Sequence, residues 1–263
     1  MTPKEYKIRG MSKINEDLIF FRIKCNLNPM PGQFLEVSLP GIGECPLASA
    51  SYNQSYVDLI VRKAGNVTSA LFQLKRGDLI FIRGPYGKGF PLDEMNGKEI
   101  ILASGGTGAV PISSLIDYCE KSNIKNLTAY LSFRNESYIA LKNKIGKWKK
   151  KFKIIICLDE TIKKEYTKGF IQNILSNVRK NSVVFLCGPE VMMKAVTEKL
   201  NKIGIENNQI YWSMERRMEC GIGSCGRCLI QDVYVCTDGP VFRYDAIKSK
   251  LENEEASNRL EEI

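Results

Sequence analysis

There is no histidine anywhere in the 263 residues. Its absence removes Ser-His-Asp hydrolysis, His-ligated zinc, His-ligated haem and any proton chemistry that depends on an imidazole. Long apolar runs are missing as well. No stretch reaches the ~18 uninterrupted apolar residues of a membrane helix, so no membrane insertion is expected. The first 17 residues lack the apolar segment of a secretory signal, and the expected setting is the cytoplasm. Nucleic-acid motifs are absent too, although 38 Lys+Arg against 29 Asp+Glu give a net charge of +9. The lysines are spread along the chain, and the densest run, 147–151 around Trp148, reads as a solvated helix face. No nucleic-acid partner is expected.

What remains is ordinary for a globular protein: 44% hydrophobic and 25% charged residues, with length for about two domains. From Tyr6 to about Phe90 short strand-like runs at 17–24, 33–39, 56–62 and 79–83 are punctuated by Pro31-Gly32, Pro40-Gly41 and Gly84-Pro85. This spacing predicts a small barrel or sandwich, with one short helix near 67–74. After Asn96-Gly97 the pattern changes. Nearly continuous apolar strands at 99–103, 127–133, 152–158 and 182–187 alternate with helical stretches at 110–121 and from Gly188-Pro189 through Lys202. Such strands predict a parallel sheet covered by helices on both faces. From Ser213 a cysteine-rich segment follows, ending in a polar stretch at 244–263 that suits a terminal helix.

Nine cysteines, an odd number in a chain with no sign of export, argue for metal ligation or buried thiols rather than disulfides. Cys220, Cys225, Cys228 and Cys236 fall in the pattern C-x4-C-x2-C-x7-C. Three thiolates in one tight loop and a fourth at a distance are what a [2Fe-2S] cluster needs, and Gly221, Gly223 and Gly226 let the backbone wrap it closely. Zinc ribbons instead use two separate knuckles, so the spacing favours the cluster. Cys25, Cys45, Cys119 and Cys157 read as inert small hydrophobes.

Two glycine turns mark a second site. Ser104-Gly105-Gly106-Thr107-Gly108 lies between a buried strand and a helix, where backbone amides and the helix dipole favour a phosphate. Cys187-Gly188-Pro189 follows a later strand of the same sheet, so the two turns can bracket one nucleotide. In the first domain Arg62, Gly65 and Thr68 follow a strand and open a short helix. They read equally as a pyrophosphate contact or as a surface arginine and an ordinary helix cap.

With these motifs in this order the chain resembles the ferredoxin-NADP reductase-like flavoproteins that carry a C-terminal [2Fe-2S] cluster. The resemblance runs through Pro31-Gly32-Gln33-Phe34, Arg83-Gly84-Pro85-Tyr86-Gly87, the two glycine turns, Glu215-Arg216-Arg217-Met218 and the stretch from Cys236 to Phe242. It implies an FAD-binding β-barrel at 1–96, an NAD(P)-binding α/β domain at 97–212 and a cluster segment with its tail at 213–263. It also implies FAD against Pro46, Leu47, Ala48 and Ser49, and against Ile60, Val61, Arg62, Gly65, Val67 and Thr68. NAD(H) is then expected at Gly105, Gly106, Thr107, Gly108, Cys187, Gly188 and Pro189. The implied role is electron transfer from NADH to the catalytic and iron–sulfur subunits of a multisubunit reductase. Electron-transfer subunits of dihydroorotate dehydrogenase B, sulfhydrogenase and anaerobic sulfite reductase share this plan. The dihydroorotate subunits insert a longer hairpin before the last cysteine, whereas the short stretch Leu229 to Val235 here resembles the sulfite reductase and sulfhydrogenase subunits, and residues 36–40 and 63–68 look most like the electron-transfer subunit of anaerobic sulfite reductase.

One departure stands out. The flavin motif Arg-Pro-(Tyr/Leu)-Ser is here Cys45-Pro46-Leu47-Ala48, so phosphate binding is expected to lean on Arg62 and backbone amides, and flavin N5 on Ser49 or a backbone N–H. After the second strand of the α/β domain, Glu136 suits the ribose 2′-hydroxyl of NADH whereas Arg134 suits the 2′-phosphate of NADPH, and NADH is the expectation. Glu215, Arg216, Arg217, Arg227 and Arg243 suggest a mostly basic docking rim around the cluster.

Overall fold

Six strands build the first half of the molecule. They are β1 (Lys4–Lys13), β2 (Leu18–Lys24), β3 (Phe34–Leu39), β4 (Gly43–Ala48), β5 (Tyr56–Arg62) and, after the short helix α1 (Asn66–Leu71), β6 (Leu79–Tyr86). Burial alternates along β2 and β6 and is nearly continuous along β3 and β5. They pair antiparallel in the order β4-β3-β6-β1-β2-β5. The side chains of Ile19, Phe21 and Ile23, Leu35 and Val37, Val57, Leu59 and Val61, and Ile80 and Ile82 all enter one core. Each such burial contributes roughly 1.5–3 kcal/mol. Ala50 N donates to Asp58 O at 2.8 Å, drawing the two ends of the sheet together into a barrel-like closure. The coordinates are a computed structural model describing residues 2–261, so Met1 and the last two residues of the expected terminal helix lie outside the described residues.

The second half is a seven-stranded sheet. In chain order it comprises β7 (Ile100–Gly105), α2 (Ala109–Lys121), β8 (Leu127–Phe133), α3 (Lys142–Trp148), β9 (Lys153–Leu158), β10 (Thr167–Lys168), α4 (Ile171–Ile174), β11 (Val183–Cys187), α5 (Glu190–Lys202) and β12 (Ile210–Ser213). The cysteine-rich segment adds β13 (Leu229–Ile230), β14 (Val233–Tyr234), β15 (Val241–Arg243) and α6 (Tyr244–Glu261). The sheet order is β10-β9-β8-β7-β11-β12-β15, parallel except for β15. Helices α2 and α3 cover one face through Ile112, Leu115, Ile116 and Trp148. Helices α5 and α6 cover the other through Met193, Val196, Leu200, Ile247 and Leu251.

Strand order reverses between β7 and β11, and there the loops after both strands leave the sheet on the same side. That crevice is where open α/β sheets bind ligands. The barrel is fixed against it: Ser113 Oγ of α2 and Lys144 Nζ of α3 both donate to Ala50 O, at 2.5 and 2.6 Å.

Strands β1, β4, β10, β12, β13, β14 and β15 fall outside the runs read from the sequence, and two of them are instructive. Strand β4 contains Pro46, which a sheet tolerates at an edge position such as this one. Strand β15 has only three residues, yet Ser213 pairs with Val241 and Tyr211 with Arg243. The segment at 213–263 is therefore stitched into the α/β sheet rather than standing apart as a third body.

Candidate functional site

Three adjoining cavities run along the seam between barrel and sheet. The first, about 380 Å³, is walled by Pro46, Leu47 and Ala48 of β4, Ile60 and Arg62 of β5, Thr107 and Val110 at the start of α2, and Cys187. Its far wall is Ser213, Met214, Glu215, Arg216 and Met218, the approach to the cysteine loop. The second, about 240 Å³, shares Ile60, Arg62, Thr107 and Val110 with the first and adds Gly106, Arg134 and Tyr138. The third, about 400 Å³, shares Gly106 and Arg134 and extends over Gly105, Asp159, Phe170, Pro189, Val191 and Met192. The result is one continuous cleft from the switch point of the sheet, past the barrel, to the cysteine segment.

Backbone packing builds the switch-point end. A Cβ on Gly108 would stand 2.2 Å from Cys187 O, and one on Gly188 would stand 2.8 Å from Gly105 N. The two turns are thus interlocked, and only glycine fits where they cross. No side chain caps the N-terminus of α2, and Ala109 N is bonded back to Gly106 O, so the amides left for an anionic ligand are those of the glycine turn that leads into the helix. Glu190 occupies the first turn of α5 and is ion-paired with Arg216.

The barrel end relies on side chains. The Arg62 guanidinium makes no hydrogen bond to a described residue, and Arg62 lines two of the cavities. Opposite it, Glu215 has its carboxyl raised by burial and pulled back down by Arg62. The rest of this wall is apolar, and Ala48 brings no hydroxyl to it. These residues fit a flavin: flat apolar walls, one free guanidinium and a helix N-terminus, without the motif's own Arg and Ser.

Several expected contacts are not brought to the cleft. Ser49 is buried and its Oγ donates to Ser51 O at 2.7 Å, so its hydroxyl is unavailable to a flavin N5 in this arrangement. Val61 points into the barrel core. Gly65, Val67 and Thr68 lie off the cavity wall. Thr68 Oγ1 accepts from Ala64 N and Gly65 N, both at 2.9 Å, and caps its own turn. The helix-cap reading is what the structure contains. Gly108 and Gly188 form the floor rather than the lining. Gly32, Phe34, Met214 and Pro240, which do line the flavin-side cavity, carried no sequence signal beyond the shared motifs around them.

The cysteine loop approaches as two facing pairs. Cys220 and Cys225 are within hydrogen-bond reach of each other, as are Cys228 and Cys236. Four thiols from one glycine-rich loop and its return are the donor set that a [2Fe-2S] centre takes. The amides of Ile222 and Ser224 point at Cys220 Sγ, at 3.5 and 3.3 Å, and Gly223 N points at Cys236 Sγ, at 3.2 Å. Although burial opposes it, such amides lower the Cys220 thiol to about 6, whereas burial and then Cys228 raise that of Cys236. Cys45, Cys119, Cys157 and Cys187 are each pushed up to about 12 by burial, consistent with inert thiols.

The basic rim is a correction. Arg216 is mostly buried and holds Glu190 and Glu254 together. Arg217 and Arg227 share Glu219, at 3.2 and 3.5 Å, and Arg243 pairs with Asp245 at 2.7 Å. The positive field expected there is largely neutralised. Glu136 is likewise engaged, with Lys163 at 2.6 Å and Lys142 at 3.6 Å.

A flavin-sized cleft beside a nucleotide crevice, ending at a four-cysteine loop, defines an NAD-dependent flavin and iron–sulfur oxidoreductase with the ferredoxin-reductase-like fold. Comparison with known proteins agrees segment by segment. Residues 5–90 match the oxidoreductase FAD-binding domain, 102–198 the oxidoreductase NAD-binding domain, and 215–248 the iron-sulfur cluster binding domain of dihydroorotate dehydrogenase B. The chain is 35% identical to sulfhydrogenase 1 subunit gamma of Pyrococcus furiosus over 83% of its length and 80% of that protein. It is 37% identical to the probable dihydroorotate dehydrogenase B electron transfer subunit of the same organism, covering 88% and 86%. Among solved structures, the NADH-dependent reduced ferredoxin-NADP oxidoreductase superposes with a TM-score of 0.73 at 26% identity, covering 97% of this chain and 96% of that one. The FAD/NAD-binding domain of nitric oxide dioxygenase from Vibrio cholerae shares the fold, with a TM-score of 0.74 at 16% identity, over 81% and 98%. The chain belongs to the family of FAD-, NAD- and iron–sulfur-binding electron-transfer subunits that includes the sulfhydrogenase gamma and dihydroorotate dehydrogenase B proteins. Among the described residues no helix is long and apolar enough to cross a membrane.

Proposed function

We propose that this chain takes electrons from NADH and delivers them singly to a partner catalytic subunit of the sulfhydrogenase or dihydroorotate dehydrogenase B kind. The observation that carries the reading is the continuity of the cleft, from the interlocked turns at 105–108 and 187–189, past Arg62, to the wall at 213–218 that leads to the cysteines. Bound FAD supplies the two-to-one electron step and a [2Fe-2S] centre the one-electron relay. The chain's own residues position these groups. The amides of the glycine turn before α2 and Arg62 take phosphate charge, and Pro46, Leu47 and Ile60 exclude water from the flavin face. Cys220, Cys225, Cys228 and Cys236 would hold the [2Fe-2S] centre as thiolates. No side-chain acid or base is required, in keeping with a chain that has no histidine.

The names of the relatives favour sulfhydrogenase and dihydroorotate partners. Between them, the tight β13–β14 hairpin, with only Gln231 and Asp232 between its strands, is the short form that resembles sulfhydrogenase. A sulfite reductase partner is the second reading and rests on the same short hairpin together with residues 36–40 and 63–68. Affinity purification of the tagged chain from its native cells tests the choice. A hydrogenase-type protein in the complex supports the first reading, a dihydroorotate-oxidising protein the other form of it, and a sirohaem protein the second. For the relay itself, Cys236→Ser is expected to lose the iron chromophore while flavin reduction by NADH persists. Full iron content in that variant overturns the ligand set.

A further inference from the structure

Arg83 joins the barrel to the cysteine loop. It lies on β6 opposite Glu36 of β3, with its side chain 11% exposed. A guanidinium has five N–H donors in a rigid fork, and here all five have acceptors. Nε donates to Glu44 Oε2 at 2.8 Å, and Nη2 completes the bidentate pair with the same carboxylate. Nη1 donates to Tyr86 OH at 3.1 Å. The two remaining bonds leave the barrel: Nη1 to Cys220 O at 2.6 Å and Nη2 to Glu219 O at 3.0 Å. Gly221, at φ +73°, lies over the guanidinium and the Tyr86 ring, and a Cβ there would stand 3.4 Å from each. The other end of the segment is anchored differently, by Lys88 N donating to Gly239 O at 2.5 Å.

The ion pair with Glu44 satisfies the barrel by itself, so the bonds to the Glu219 and Cys220 carbonyls have no barrel function. They fix where Cys220 stands relative to the flavin-side cavity. They also place a positive charge beside a ligand whose centre becomes more negative on reduction. Glu44 offsets that charge. Glu36, fully buried with both carboxylate oxygens unpartnered, is the other acid on this face, with Cys45 the neighbouring thiol.

We propose that Arg83 is a positioning residue that sets the iron–sulfur loop against the flavin barrel and, through its charge next to Cys220, raises the reduction potential of the centre held there. The proposal rests on reading Cys220, Cys225, Cys228 and Cys236 as cluster ligands. Two effects are separable. Arg83→Lys keeps the charge but loses the fork. Arg83→Gln loses both, and Arg83→Gln with Glu44→Gln removes the pair without leaving a bare carboxylate.

The test uses the purified holoprotein with two readouts: hydrogen exchange of the amides at 219–224, and redox titration followed by electron paramagnetic resonance. Exchange in this segment is expected to quicken about tenfold or more in all three variants, as for a segment that has lost its local closure. The potential is expected to fall in Arg83→Gln, hold near the parent value in Arg83→Lys, and recover toward it in the double variant. Bound flavin at the parent stoichiometry verifies an intact barrel. Should Arg83→Gln fail to fold, exchange in Arg83→Lys decides the positioning role, and Glu44→Gln, which leaves the Arg83 charge without its counter-ion, decides the tuning by raising the potential or leaving it unmoved. Parent-like exchange at 219–224 overturns the positioning role, and a potential unmoved by Arg83→Gln overturns the tuning. If the parent protein itself lacks iron, the cluster reading fails, while the exchange measurement still decides whether Arg83 holds the loop.

Discussion

The two ends of the cleft recognise their ligands by different means. At the switch point of the parallel sheet the contacts are backbone: glycine turns packed carbonyl to amide, and an uncapped helix N-terminus. At the barrel the contacts are side chains, and there the family's arginine and serine have become Cys45 and Ala48, while Arg62 lines the space. Backbone recognition leaves the sequence little choice, because any Cβ collides. Side-chain recognition can be moved to another strand, since a charge reaching the same volume from β5 serves as well as one from β4.

The largest expected effect falls on the switch-point end. Gly108→Ala forces a methyl into Cys187 O and is expected to cost about 2–4 kcal/mol in urea unfolding and to abolish NADH-dependent flavin reduction. Ala48→Ser, the matching change at the barrel end, should stay within about 0.5 kcal/mol. Equal costs for the two would break the comparison.

Next in size is the barrel's buried acid. Burial, then Glu44, pushes the Glu36 carboxyl up to about 8 from its ordinary 4.5. The fold therefore keeps a proton that the unfolded chain releases. The stability from this site is full below pH 4.5, declines as pH rises, and is lost above about pH 8. The total is on the order of 5 kcal/mol. Glu36→Gln should flatten that part of the pH–stability curve between those values, and an unchanged slope would place the titration elsewhere.

Arg62→Ala sharpens the contrast further. Losing a charged phosphate contact should weaken FAD about 10–100-fold, read by fluorescence titration of the apoprotein. Full FAD affinity would mean that the barrel end, too, works through backbone. The smallest effect is expected at Glu136, which is exposed and already shared by two lysines. Glu136→Ala should shift the NADH to NADPH rate ratio by less than about fivefold.

The same division explains what could be read from the sequence. The apolar runs of β7, β8, β9 and β11, the glycine turns after β7 and β11, and the cysteine spacing were all legible, because each is a local pattern with few substitutes. The rest depends on partners far away in the chain. Arg216 looked like an exposed docking residue until Glu190 and Glu254, 26 and 38 positions distant, proved to hold it. Thr68 fitted a phosphate cap equally well until the turn at 64–65 took its hydroxyl. The role of Arg83 depends on carbonyls 136 and 137 residues away, and no local reading reaches that far.

The register of β12 with β15 has a consequence for how such a molecule can change. Ser213 and Val241 are direct partners on neighbouring strands, so the chain leaves the sheet at one point and returns beside it. Everything from 214 to 240, with all four cysteines, is topologically an excursion closed at its base. Lengthening or shortening it shifts the closure entropy only slowly with length, and no core strand must move to accommodate the change. Natural selection can therefore re-cut the hairpin at 229–234 while the nucleotide crevice stays as it is. One chassis can in this way be fitted to different terminal enzymes.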